Sequence, residues 1–352
     1  MIEFDGTNID AILSHQVLGT LSQPIQNTWG LPCFTSWYKS SPAHPNAVNG
    51  YIHTIINHFG QGGYARSLKM RFMLETDSGM PDPAACTVVP SFKLQIIPKE
   101  YEPSAQSGND ECTPFVLVAA HSQPGPGPTA THEERLQSAS PFLSLSSLVC
   151  PLIPPNAALL TSAVPVHAAW RGHNRTARLE RLFPVNERPS RHYILADALE
   201  LDTISPSPNS GLSDLQPENI KREVGKLYAA FLGARREAER MHYKECVIEA
   251  AAWGCAAFGG HVVAKTSCMM IAAGLASARD KRYGYEDGSP VYIKVPLIIM
   301  MTLLENRVEE VEAVKDLLER QWTVMELWER MRSDKVRARR TTKELCEALM
   351  AS

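Results

Sequence analysis

The sequence predicts an α/β layered fold, and three observations carry that expectation. "TPFVLVAA" at 113–120 is an unbroken apolar run of the kind that forms a strand covered on both faces. From residue 193 onward, strand-like and helix-like stretches alternate, as they do in a layered α/β domain. The chain has 352 residues and is 44 % hydrophobic, enough for one large or two modest domains with an ample core.

Composition narrows the function classes. A net charge of −3 means that the average field recruits neither nucleic acid nor an acidic membrane, which leaves only local patches for such contacts. The eight cysteines are scattered, with no C-x-x-C pair and no histidine at zinc-ligand spacing. The expectation is a reduced intracellular protein, cytoplasmic or nuclear, without metal or cofactor. "MIEFDGTNID" lacks the basic and apolar regions of a signal peptide, and "VPLIIMMTLL" is too short to span a bilayer. A soluble protein with no membrane partner is expected.

Along the chain, residues 1–100 mix short apolar runs with Pro/Gly breaks and end in the alternating "FKLQI" of "CTVVPSFKLQIIP", so that 1–110 reads as an N-terminal α+β extension. After the polar "EYEPSAQSGNDEC" comes the buried strand, then the Pro/Gly stretch "HSQPGPGPTAT", then "HEERLQSASPFLSL" with acids where a helix dipole favours them. Residues 171–192, from Arg171 to beyond Arg191, hold six arginines against two glutamates. They read either as ordinary surface and internal pairing or as a contact for RNA phosphates. "YILADALELDTISPSPN" is a strand closing in a turn, and "PENIKREVGKLYAAFLGARREAERMH" is an amphipathic helix with Val224, Leu227 and Phe231 on one face. Strand "CVIEAAAW", Gly-rich turn "GCAAFGG", helix "HVVAKTSCMMIAAGLASA" and strand "PVYIKV" complete a core over 111–303. In 304–352, Leu304, Val308, Val311, Leu318, Trp322 and Met325 fall at heptad spacing interrupted by Lys315, predicting a long helix. Its seam packs either on its own domain or on a second copy as a homodimer. The end, "RMRSDKVRARRTTK", is basic.

Two Gly-rich loops, "HSQPGPGPTAT" and "WGCAAFGG", each follow an apolar strand. In an open α/β sheet the ligand crevice lies at the carboxyl ends of the strands, where glycines let backbone N–H groups approach a diphosphate. Either loop alone also reads as a plain turn. An adjacent carboxylate pair near an anion disfavours double ionisation, so one member can hold a proton near neutral pH. The bland reading of Glu133-Glu134 is two solvated acids opening a helix.

The blocks "PFVLVAAHSQPGPG...HEERLQSASPFLSL", "LDTISPSPN" and "VIEAAAWGCAAFGGHVVAKTSCMMI" together resemble the microbial type of poly(ADP-ribose) glycohydrolase, over about residues 113–300. The resemblance implies a macrodomain-like three-layer α/β/α sandwich and cleavage of ribose glycosidic linkages in ADP-ribosylated substrates. Residue by residue it implies that Gly125 and Gly127 grip the diphosphate of ADP-ribose or another adenosine-diphosphate ligand. It gives ribose positioning to Glu133, the general-acid role to Glu134 and a place beside them to His132. It adds Asn209 from the Pro-Ser-Pro-Asn turn, and Gly254, Cys255, Phe258 and Gly259 from the second loop. The chain departs from the family at Pro126 and Ala256, which replace glycines, at His132, which replaces glutamine, and in a shorter gap between loop and triplet. Those departures keep two alternatives open: a non-catalytic ADP-ribose reader, and a group-transfer enzyme acting on another adenosine-bearing, tRNA-linked substrate.

Overall fold

The computed structural model describes residues 1–18, 44–98, 113–127, 131–172, 176–201, 212–279, 283–286, 289–292 and 295–351. The described strands are β1 Ile2–Asp5, β2 Lys69–Thr76, β3 Phe92–Ile97, β4 Phe115–Ala120, β5 Ala157–Thr161, β6 Val164–Pro165, β7 Ala168–Arg171, β8 Arg178–Leu182, β9 Ser190–Asp197, β10 Cys246–Ala250, β11 Tyr283–Glu286, β12 Ser289–Tyr292 and β13 Leu297–Leu304. The helices are α1 Gly6–Leu18, α2 Pro45–Gly60, α3 His132–Ala139, α4 Ser146–Val149, α5 Pro217–Arg240, α6 Val262–Ala278, α7 Val308–Glu319, α8 Val324–Arg332, α9 Asp334–Arg337 and α10 Thr342–Ala351.

One sheet runs in the order β1-β2-β5-β9-β4-β10-β13-β3, with β6 paired to β9. Strands β9, β4, β10, β13 and β3 are mutually parallel, while β5, β2 and β1 continue antiparallel on one side. The apolar run of β4 is unbroken because successive side chains enter opposite cores. Phe115 and Leu117 join a cluster with α5 and α6, whereas Val116, Val118 and Ala120 join one with α1 and residues 141–145. β9 splits the same way, Ile194 and Ala196 against Tyr193 and Leu195. These two cores on either side of the sheet make a three-layer α/β/α sandwich.

The expected helices form where the periodicity places them. α5 opens on Pro217 and buries Val224, Leu227 and Phe231 completely. α6 is apolar all round because the C-terminal helices cover the side that the sheet does not; a Cβ on Gly274 would meet Val324 Cγ2 of α8 at 2.2 Å. The run "VPLIIMMTLL" supplies β13, a strand between β10 and β3.

Two differences from the sequence expectation concern the ends of the chain. The N-terminal extension builds both flanks of the sheet, since β2 pairs with β5 and β3 with β13. The C-terminal stretch is helical but divided, because Leu304 still belongs to β13 and Gln321 takes φ 51°, a left-handed conformation that ends a helix. Thr323 then caps α8 through a capping box with Glu326. The heptad positions therefore form no continuous seam: Val311 and Trp322 are buried in their own fold while Val308 is exposed. No helix among the described residues is long and apolar enough to cross a membrane.

Candidate active site

β9, β4 and β10 are adjacent and parallel, so the loops that leave them share one end of the sheet. Residues 121–127 form the first loop and lead to α3. Thr131 is the N-cap of that helix: its hydroxyl accepts the Glu134 N–H at 3.3 Å, and Glu134 Oε2 accepts the Thr131 N–H at 3.1 Å. This capping box satisfies two otherwise orphaned donors and fixes Glu134 beside the loop. A Cβ on Gly127 would lie 1.9 Å from Glu134 Oε1, so only glycine lets the backbone pass so close to the carboxylate.

Glu133 turns the other way, and the first loop wraps around it. Its Oε2 accepts the His121 N–H at 2.7 Å, and its Oε1 accepts the Gly125 N–H at 3.1 Å and Gln137 Nε2 at 2.8 Å. The pair is thus divided at the helix start, and both members are buried, 4 % and 7 % exposed. Burial pushes the Glu133 carboxyl up to about 8, with the nearby Glu134 adding to the rise and the three N–H donors opposing it. Glu133, the residue to which the resemblance gives ribose positioning, therefore holds a proton near neutral pH.

The second loop, 251–261, is closed by Gly260 N–H to Gly254 O at 2.9 Å and tied to the end of β9 by Leu201 N–H to Phe258 O at 2.9 Å. Gly254 (φ 73°) and Gly259 (φ 68°) both need left-handed backbone, and a Cβ on Gly254 would meet Ala198 Cβ at 2.7 Å. Phe258 is half-buried against the core, and burial pushes the Cys255 thiol up, which leaves it an unreactive thiol. Ala256 is exposed. His132 is the half-buried first residue of α3. Asn209 lies outside the described residues.

Several contributing residues escaped the sequence reading. His121 Nδ1 accepts the Gln123 N–H at 3.0 Å, which fixes the other tautomer, so Nε2–H faces Glu200 Oε1 at 3.1 Å. Beneath the second loop, Asp197, Asp214 and Glu223 pair with Arg222, Lys226 and Lys265 in a buried network. Lys265 is 1 % exposed, bonds Glu223, lies 3.1 Å from Asp214 and sits 5.2 Å above the Trp253 ring. Asp214 in turn accepts the His261 N–H at the end of the loop. The legible signals were Thr131-x-x-Glu134, a capping-box pattern, and Lys265, a lone cation in an apolar helix.

A family model described as poly(ADP-ribose) glycohydrolase (PARG), macro domain fold, matches residues 125–286, from the first glycine loop to beyond α6. Over that stretch the chain is similar to the poly(ADP-ribose) glycohydrolase family. Among solved structures, poly(ADP-ribose) glycohydrolase from Deinococcus radiodurans in complex with ADP-ribose is 15 % identical, covers 66 % of this chain and 87 % of its own, and has a TM-score of 0.40. The Thermomonospora curvata enzyme bound to the inhibitor ADP-HPD is 13 % identical over 84 % and 91 % of the two chains, with a TM-score of 0.36. The Oceanobacillus iheyensis macrodomain with ADP is 11 % identical over 71 % and 98 %, also with a TM-score of 0.36. No curated protein matches the sequence.

Proposed function

We propose that the chain is a divergent ADP-ribose glycohydrolase that cleaves ribose glycosidic linkages, with Glu134 as general acid. The observation that carries this reading is the buried carboxylate pair enclosed by a glycine loop, at the strand ends where the family match begins. The diphosphate of ADP-ribose would rest on Gly125, Gly127 and the second loop, with Gly254, Cys255, Phe258 and Gly259 closing over it. The Glu134 proton passes to the leaving ribose oxygen as its bond to the anomeric carbon breaks. Water then adds to the oxocarbenium-like carbon and returns a proton to the Glu134 carboxylate. Glu133 keeps the first loop in shape and, holding its own proton to about pH 8, keeps a second negative charge away from the diphosphate.

A second reading, a non-catalytic ADP-ribose reader, is favoured by the state of the donors. The Gly125 N–H is bonded to Glu133, Pro126 has none, and Glu134 is engaged by the capping box. Calorimetry with ADP-ribose, alongside release of ADP-ribose from polymeric and mono-ADP-ribosylated substrates, separates the two. A hydrolase binds and turns over, and Glu134→Gln binds but loses about 100-fold to 10,000-fold in rate. Equal slow release by wild type and Glu134→Gln, with binding intact, leaves the reader. No binding at millimolar ADP-ribose by a folded sample removes both.

A further inference from the structure

We propose that the hairpin of β7 and β8 is a second anion site, which holds a diphosphate of an ADP-ribose chain next to the unit seated in the glycine loops. The inference rests on the hydrolase reading and extends it from single units to chains.

Register puts Arg171 directly opposite Arg178, and Arg181 opposite Ala169 beyond a bulge that takes up Glu180. All three arginines are exposed, and among the described residues no acidic side chain pairs with Arg171 or Arg178. Like charges facing each other across a strand pair repel, and a bound dianion turns that repulsion into attraction. Guanidinium forks match phosphate oxygens in geometry as well as charge. One ADP-ribose unit carries two phosphates, which suits two facing guanidiniums. In a chain whose net charge is −3, these arginines are a local exception.

The hairpin is braced and aimed. Trp170 packs on Tyr51 of α2 with ring centroids 5.0 Å apart, and a Cβ on Gly50 would meet the Trp170 ring at 2.5 Å. At the tip, Gly172 takes φ 78°. Its carbonyl accepts Arg135 Nη1 at 3.1 Å, and Arg135 directly follows Glu134. The end of the hairpin that carries Arg171 and Arg178 is therefore pinned to the turn of α3 that bears both carboxylates. A chain whose terminal unit meets Glu134 would run its next phosphates past this tip.

The test compares ADP-ribose, an ADP-ribose oligomer of defined length and an RNA oligonucleotide of equal charge, each titrated by fluorescence anisotropy over a range of salt. The double variant Arg171→Ala/Arg178→Ala should weaken oligomer binding about tenfold and flatten its salt slope by about 1.4, for two phosphate contacts on a single strand. Affinity for single ADP-ribose should stay as in wild type, and Arg171→Lys/Arg178→Lys should recover most of the oligomer affinity. Oligomer affinity and slope unchanged in the double Ala variant overturn the inference. RNA binding as tightly as the oligomer, with the same loss in the variant, overturns it in favour of a nucleic-acid contact. If single ADP-ribose fails to bind, the proposed function falls separately; oligomer binding that still needs Arg171 and Arg178 keeps the anion site, and its absence removes that too.

Discussion

Gly127→Ala separates the fold's demand for a glycine from the chemistry's demand. The backbone at Gly127 does not lie in the left-handed region, so alanine is conformationally allowed and only the new Cβ matters. That atom would stand 1.9 Å from Glu134 Oε1 and 2.7 Å from its carboxyl carbon. Backbone is the fixed partner and the carboxylate the movable one, so Glu134 must swing away by about 1 Å or more to restore ordinary contact. The swing breaks the 3.1 Å bond from the Thr131 N–H and with it one half of the capping box. Loss of a cap costs about 1 kcal/mol. Replacing glycine by alanine recovers about 0.4–1 kcal/mol by narrowing the unfolded ensemble. The net change in stability is close to zero, and thermal unfolding should move by no more than about 4 °C. Turnover should fall much further, toward the 100-fold to 10,000-fold loss expected for a misplaced general acid. The double variant Gly127→Ala/Glu134→Gln should be no slower than Glu134→Gln alone, since both changes remove the same proton transfer. Scanning calorimetry and an ADP-ribose release assay read the two effects side by side. A variant that keeps wild-type turnover refutes the link between Gly127 and Glu134, and a double variant slower than either single one shows that Gly127 acts elsewhere.

Three further outcomes are expected. Lys265→Met leaves Glu223 and Asp214 buried without their shared cation, a loss of about 3–5 kcal/mol measurable by denaturant unfolding, whereas Lys265→Arg should retain part of it. His192 is held down to about 4 by burial between Phe115 and Tyr243, so its share of stability is complete above about pH 6.5 and is lost as pH falls toward 4, about 3 kcal/mol in all; His192→Phe should flatten that acid limb. Glu133, raised to about 8, acts in the opposite sense: its contribution is complete below about pH 4.5 and lost as pH rises through 8, so Glu133→Gln should remove a decline in stability between about pH 4.5 and 8.

Much of the layered core was legible because its strands and helices carry their environment in their composition. "FVLVAA" announced a strand with two buried faces, and Val224, Leu227 and Phe231 announced the face of α5. The glutamate pair and both glycine loops were legible as motifs. What they do to each other was not, because the division of Glu133 from Glu134 depends on N–H groups at 121, 125 and 131 that only a folded loop brings together. The ion network around Lys265 joins residues 197, 214, 222, 223, 226 and 265, and no local spacing marks such a set. The heptad pattern misled for a physical reason: Leu304 and Val308 flank a strand end, and periodicity does not see a residue such as Gln321 turning left-handed.

The pairing of β3 with β13 bears on how the chain is made. Phe92 meets Ile299 across that pair, so the strand must wait for a partner translated about 200 residues later, some 10–40 s at ordinary rates of synthesis. β2 waits less, for β5, but β1 and β2 close a flank whose neighbour β9 also arrives afterward. During that interval the N-terminal strands leave the ribosome with unpaired edges and apolar side chains such as Phe72 and Met70. The sheet cannot be assembled in the order of its synthesis, so folding is expected to be largely post-translational and slow, as non-local pairing requires. Nascent chains of this protein should accordingly depend on chaperones that hold N-terminal segments until β13 emerges.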